Sequence, residues 1–389
     1  MRIPAVVVTG LLAACVALSP TAWSAPQPPS TQATAGQYWV YIGTYTRNTS
    51  KGVYGFRFDA STGTLRPLGL AAETPSPSFI AAHPNGRFLY AANEREWNEV
   101  MGNQVTTFAI DPGTGRLTQL KRTPSAGNGP AHVVVDPTGR ALVVSNYRGG
   151  NVAVLPVQPD GTLGAATSVD QHYGRGPHER QDSPHAHGSA ISSDNRWVLT
   201  AEHGIDQVMA YRFDAGRGTI APASPPSLKV APGRAPRHVA FHPNGRTAYV
   251  VNELIPSLTV LGVSDGALRE LQTVPTMPGD YAGPHSGAEV VINRAGTVVY
   301  TSNRGPDTVT VFAIDQTTGL ATAVQHVPTG GMTPRNIALD PTGRFLFAGN
   351  QASNNLALFR VDAASGRLMA TGQVFDVPEP TAIAFVAAP

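Results

Sequence analysis

At 389 residues, 41% of them hydrophobic, the chain has room for one large domain or two ordinary ones and enough apolar surface to build a core. Only 14% of residues are charged, the net charge is +2 and no block of like charges occurs, which removes any electrostatic case for nucleic acid or an anionic membrane as partner. Plentiful Gly (40) and Pro (34) favour many short elements joined by turns.

The chain opens with a targeting pattern. Arg2 supplies a positive start, residues 3–18 are apolar and uncharged, and Ala22-Trp23-Ser24 places small residues where a signal peptidase reads them. Residues 1–24 are therefore expected to be an export signal, with the mature chain periplasmic or secreted and without a membrane span. The alternative is a lipoprotein signal, Leu12-Ala13-Ala14-Cys15, although the apolar run continues past Cys15. Cys15 is the only cysteine, so simple export leaves no disulfide, thiolate nucleophile or thiolate metal site. Residues 25–37 are polar and aperiodic and read as a flexible tether.

From residue 38 onward the chain repeats. PSFIAAHPNGRFLYAANE begins at Pro77, PAHVVVDPTGRALVVSNY at Pro130, PRHVAFHPNGRTAYVVNE at Pro236 and PRNIALDPTGRFLFAGNQ at Pro334. Looser copies start at Pro184 and Pro284, and a truncated one at Pro380, giving spacings of 53, 54, 52, 48, 50 and 46. Each unit carries a β-rich run, a turn such as Pro-Asn-Gly-Arg, a second run and an alternating third strand. A second turn follows, closing on Gly63, Gly115, Gly161, Gly218, Gly266, Gly319 or Gly366, and then a variable last strand. Four antiparallel strands at this period make a propeller blade. Tyr38–Thr46 looks like a second strand lacking its first, and Thr381–Val386 like a first strand lacking the rest. Their pairing completes a seventh blade and removes two open sheet edges. The expectation is an all-β, seven-bladed β-propeller over residues 38–389, closed by its own termini, as a monomer.

Hairpin geometry brings two rings of residues to one end of the channel. The residues after each repeat Pro are Ser78, Ala131, His185, Arg237, His285, Arg335 and Thr381. Those after each repeat Asn are Glu94, Tyr147, His203, Glu253, Arg304 and Gln351, with Thr44 as the seventh. Core positions repeat from blade to blade, whereas these positions swap titratable groups of both signs. Converging His, Arg and Glu in a concave mouth is the usual makeup of a catalytic or ligand pocket; a solvated structural rim is the alternative. His185 and His187 are two apart on a strand, so both rings are expected to face one side. No spacing matches a metal template, and no metal or cofactor is predicted.

At these residues the sequence resembles the lactonase family of seven-bladed propellers, which includes the propeller-type 6-phosphogluconolactonases and the carboxy-muconate lactonizing enzymes. The likeness runs from Tyr41-Ile-Gly-Thr-Tyr-Thr to Val377. It is most specific at Arg180-Gln-Asp-Ser-Pro-His-Ala-His, Pro236-Arg-His, Asn252-Glu-Leu, Ser302-Asn-Arg-Gly and Gly330-Gly-Met-Thr-Pro-Arg. The resemblance implies a catalytic set of the His185/His187 pair, Arg237, Glu253 and Arg304; the other polar rim positions, Glu94, Tyr147, His203, His285 and Arg335, are the substrate-binding candidates. Ala201-Glu202-His203-Gly204 departs from the Asp-Leu-Gly that relatives commonly carry there. The implied activity is hydrolysis of sugar-acid lactones by base-activated water, with Glu253 or a neighbouring His as base and arginines stabilising the oxyanion. Cycloisomerase chemistry and a non-enzymatic binding propeller stay open. An exported chain does not suit a phosphorylated cytosolic substrate.

Overall fold

The computed structural model describes Met1, Arg2, Pro4, residues 36–94 and residues 103–389. The expected export signal and tether therefore lie outside the described residues, apart from Met1, Arg2, Pro4, Gly36 and Gln37. Among the described residues the chain forms seven four-stranded antiparallel sheets and a single 3-10 turn, Glu179–Gln181. Six blades follow in chain order over residues 77–124, 130–171, 186–229, 236–275, 286–328 and 334–376. The seventh closes the ring: Pro380–Ala387 is its inner strand and pairs with Gln37–Thr44, from Tyr38 opposite Ala387 to Thr44 opposite Pro380. Among the described residues no helix is long and apolar enough to cross a membrane.

The second strand of each blade carries the packing. Phe88–Asn93, Ala141–Asn146, Thr247–Asn252 and Phe345–Asn350 are buried at every position, as β-branched and aromatic side chains meet neighbouring blades on both faces. The core is thus a set of clusters between adjacent blades. One joins Trp39 and Tyr41 of the closing blade to Ile80, Leu89 and Ala91 of the first.

A repeated clamp fixes four of the seven blades to the next. Tyr41, Tyr90, Tyr249 and Tyr300 donate their hydroxyls to the carbonyls of Gly115, Gly161, Gly319 and Gly366, turn glycines of the following blade, at 2.8, 2.9, 2.8 and 2.8 Å. Burial pushes all four phenols above their ordinary range, keeping them as donors. The glycine is required twice over at this spot. Gly115 has φ 69°, and a Cβ there would lie 2.7 Å from the Trp39 ring of the blade before.

Tyr90→Phe leaves the buried Gly161 carbonyl unpaired and is expected to cost about 1 kcal/mol of stability. Gly115→Ala, which meets both the strained φ and Trp39, should cost more. Denaturant unfolding of the two variants checks the order; equal stability of Tyr90→Phe and wild type would remove the clamp from the account.

Candidate functional site

Two backbone devices aim residues at the channel mouth. In four blades the Asn ending the second strand ties that end to the outer connection: Asn93 Nδ2 donates to Pro75 O (2.6 Å), Asn146 to Ser125 O (3.1 Å), Asn303 to Thr276 O (2.9 Å) and Asn350 to Thr329 O (3.1 Å). The residue before each repeat Pro takes positive φ at Ser76, Gly129, Ala235, Thr333 and Glu379, turning its carbonyl toward the next strand end. There it accepts from the N–H of Glu94, Tyr147, Glu253, Gln351 and Tyr45 respectively. Each blade thereby presents one residue just after the Pro and one just after the Asn.

This register corrects three positions of the expected rings. In the third blade Ala186, not Pro184, pairs with the strand-ending residue Glu202, so His187 stands where Arg237 stands in the fourth. His185 takes the place of the residue before the Pro, and its carbonyl accepts from His203 N. In the fifth blade Gly287 pairs with Asn303, which puts Ala288 in the inner ring and leaves His285 exposed outside it, its Nδ1 2.8 Å from the Gly283 carbonyl. In the closing blade Thr44 holds the Asn place, and Tyr45 is the rim residue.

The centre of the mouth is a buried ion cluster. Glu253, 3% exposed, receives Arg180 Nη2 at 2.6 Å and Arg304 Nη2 at 3.2 Å on Oε1, and Arg237 Nε at 3.1 Å on Oε2. Arg237 Nη1 also donates to Ala288 O at 2.5 Å. Burial alone would raise the Glu253 carboxyl, but Arg304, Arg237 and Arg180 outweigh it and hold it well below the usual carboxylate range. His203 Nε2 lies 3.9 Å from the same Oε1; burial pushes this imidazole down to about 4, so at neutral pH the arginines alone counter the carboxylate.

Around the cluster the predicted residues separate. His187 is buried and neutral, its protonated form disfavoured first by burial and then by Arg237, His238, His203 and Arg335. Among the described residues neither nitrogen of His203 nor Nδ1 of His187 has a hydrogen-bond partner. Tyr147 packs edge-on to His187, with ring centroids 5.3 Å apart, and stacks flat on His185 at 4.5 Å. His185 sits behind that ring, its Nδ1 against Tyr147 O and its Nε2 3.3 Å from exposed Asp182. The structure therefore separates the two histidines: His187 lies with the arginines, and His185 backs the wall. Glu94 and Arg335 meet through Tyr45, whose hydroxyl donates to Glu94 Oε2 (2.9 Å) and accepts from Arg335 Nη2 (2.7 Å). Among the described residues four guanidiniums, Arg180, Arg237, Arg304 and Arg335, thus share the mouth with two carboxylates, Glu94 and Glu253, an excess of positive charge.

Periodicity missed several of these groups. Arg180 comes from the connection between blades two and three, which has no counterpart elsewhere. One step deeper the inner strands supply a second layer of Phe79, His132, Gly188, His238, Glu289, Asn336 and Ala382, each one residue beyond the first ring. A Cβ at Gly188 would lie 2.5 Å from the His238 ring, so the glycine makes room for it. Among the described residues no group of three or more His, Cys, Asp or Glu is arranged to hold a metal ion.

A family model described as Lactonase, 7-bladed beta-propeller, matches residues 39–385. A 6-phosphogluconolactonase of Bacillus subtilis is 35% identical over 352 residues, covering 90% of this chain and 99% of the relative. Another of that name from Formosa agariphila is 30% identical, covering 85% of this chain and 94% of its own. Among solved structures, a periplasmic gluconolactonase of Pseudomonas aeruginosa superposes with a TM-score of 0.84 at 32% identity, covering 91% of this chain and 100% of that one. With the ring, its closure and the family match over nearly all of the described blades, the chain belongs to the lactonase family of seven-bladed β-propellers.

Proposed function

We propose that this chain hydrolyses sugar-acid lactones at the propeller mouth. The observation that carries the reading is the convergence of three guanidiniums on one buried carboxylate beside a neutral imidazole. The names borne by the relatives, 6-phosphogluconolactonase and gluconolactonase, support the same class of substrate.

Opening a lactone needs a base for the attacking water and donors for the oxyanion. Glu253 is a poor base, because any proton it took would forfeit its contacts with three arginines. Its role is a fixed counter-charge that holds those arginines in place. Neutral His187 takes the water proton as oxygen attacks the carbonyl carbon. Arg304 and Arg180, whose side chains are 14% and 47% exposed, meet the developing oxyanion, while Arg237 works from beneath. Collapse breaks the bond to the ring oxygen, which recovers the proton from His187. The hydroxy acid then ionises in a mouth whose excess positive charge suits a carboxylate.

Purified mature chain is expected to release acid from gluconolactone above the spontaneous rate, measured by pH-stat beside the 6-phosphate ester. Glu253→Gln should lower kcat/KM by about 100-fold or more, in the range of lost transition-state electrostatics. No turnover on either lactone would overturn the reading.

The protonated form of His187 is disfavoured, so its base form is fully present above the ordinary histidine pKa and is lost only well below it. The acid limb of kcat/KM on uncharged gluconolactone should accordingly fall below about pH 6.5, and residual activity of His187→Gln should lack it. A limb unchanged in that variant would move the base elsewhere.

We also infer export. Amino-terminal sequencing of chain recovered from a periplasmic or culture fraction should begin near Ala25, whereas lipid at Cys15 would establish the lipoprotein alternative.

A further inference from the structure

Beneath the arginines lies a carboxylate that the proposed reaction does not use. Glu289, 6% exposed, belongs to the inner strand Ser286–Ile292 of the fifth blade. Its Oε1 lies 2.7 Å from His238 Nδ1 and accepts from Val290 N at 3.0 Å; its Oε2 accepts from Asn336 Nδ2 at 2.5 Å. His238 in turn lies under Arg237, whose Nη1 is 3.5 and 3.4 Å from the two ring nitrogens. A continuous line of contacts therefore runs from Asn336 through Glu289, His238 and Arg237 to Glu253. The same Arg237 Nη1 is held by the carbonyl of Ala288, the residue before Glu289. The floor and the side of the Arg237 guanidinium thus depend on one short stretch of the fifth blade.

We propose that Glu289, acting through His238, is a positioning residue for Arg237, and that it takes up a proton when an anion binds at the mouth. The second clause rests on the proposed function only in taking the mouth as the anion site.

The titratable groups around Glu289 come from several blades. Arg237 and His238 of the fourth blade and His132 of the second act on Glu289 directly, while His187 of the third blade, Arg304 of the fifth, Arg335 of the sixth and Glu253 surround the His238 that holds it. Burial pushes the Glu289 carboxyl up to about 7; Arg237, the Val290 N–H, His132 and Asn336 pull the other way. His132 and His238 are both driven well below the usual histidine range, first by burial, so neither carries the proton at neutral pH. An anion on the arginines offsets the positive potential that favours ionised Glu289. The protonated form gains, and a proton enters from solvent. By reciprocity the anion binds more tightly at low pH than at high pH.

The test is isothermal titration of wild-type chain at pH 7.5 with gluconate and, separately, with sulfate, each in two buffers of different ionisation enthalpy. Wild type is expected to take up about half a proton per anion bound, and Glu289→Gln close to none. Gluconate failing to bind while sulfate shows uptake would count against the lactone reading and leave this inference standing. Binding of sulfate without proton uptake, uptake undiminished in Glu289→Gln, or binding of neither anion would overturn it. A second measurement needs no variant. Infrared difference spectra of wild type should gain a protonated-carboxyl band when sulfate is added at pH 7.5, and an unchanged carboxyl region would overturn the inference independently. The positioning role predicts that Glu289→Gln flattens the pH dependence of sulfate affinity between pH 6 and 8.5, whereas a packing role alone would leave it intact.

Discussion

Removing a carboxylate from water costs several kcal/mol unless its neighbours restore what water gave. Glu253 meets that condition only because arginines from three separate parts of the chain reach it. Arg180 sits on the turn ahead of the third blade, Arg237 on the inner strand of the fourth and Arg304 at a strand end of the fifth. None of these groups is close to another in sequence except Arg237 and Glu253. The cluster therefore exists only when the blades hold their angular spacing, which closure by Pro380–Ala387 and the tyrosine–glycine clamps maintain. Local chemistry at the mouth is bound to global geometry through a single buried charge.

The third blade shows what is exchanged when a repeat is altered for chemistry. Where five other blades end the second strand with Asn, this one has Glu202. Its carboxylate binds His172 Nδ1 and accepts from the backbone N–H groups of His185 and Gly204. His172 Nε2 continues to the Tyr211 hydroxyl at 2.6 Å, which donates to Asp170. An amide tether has become a carboxylate–imidazole network holding both strand ends. One residue past those paired ends, Ala186 and Glu202, stand His187 and His203. Gly204 is obligatory here, since a Cβ would lie 1.9 Å from the Ser183 carbonyl.

Much of this was legible in the sequence because packing repeats. Every blade needs the same Pro, the same turn glycine and the same apolar runs, so period and count give seven blades and the truncated last copy gives the closure. Arg237, Glu253 and Arg304 were legible for the same reason: each flanks a conformational marker, a Pro or a strand-ending Asn. His185, His285 and Thr44 were assigned by counting from a proline or by a loose match, and there the marker misleads. Pro184 and Pro284 precede the true register position by two and three residues, filled by Ala186 and Gly287. Arg180 and Tyr45 lie beyond the reach of periodicity for different reasons. The first has no equivalent in other blades, and the second is one residue past a strand that ends in Thr rather than Asn.

Glu253 and Glu289 show how one residue type acquires two behaviours a layer apart. Both are buried, so desolvation acts on both in the same direction. What differs is the neighbours. Three guanidiniums contact Glu253, and their combined field more than offsets burial, leaving a permanent anion. Glu289 contacts a neutral imidazole, an amide and a backbone N–H, which orient it without supplying full charge, so burial prevails and its proton is exchangeable near neutrality. Pairs of titratable groups pushed apart in this way mark divided roles in a site. Here the upper carboxylate fixes the arginines in space, and the lower one lets their total charge respond to what they hold. Neither behaviour follows from glutamate as a residue type; it follows from Arg180, Arg237 and Arg304 converging on the one and His238 and Asn336 on the other.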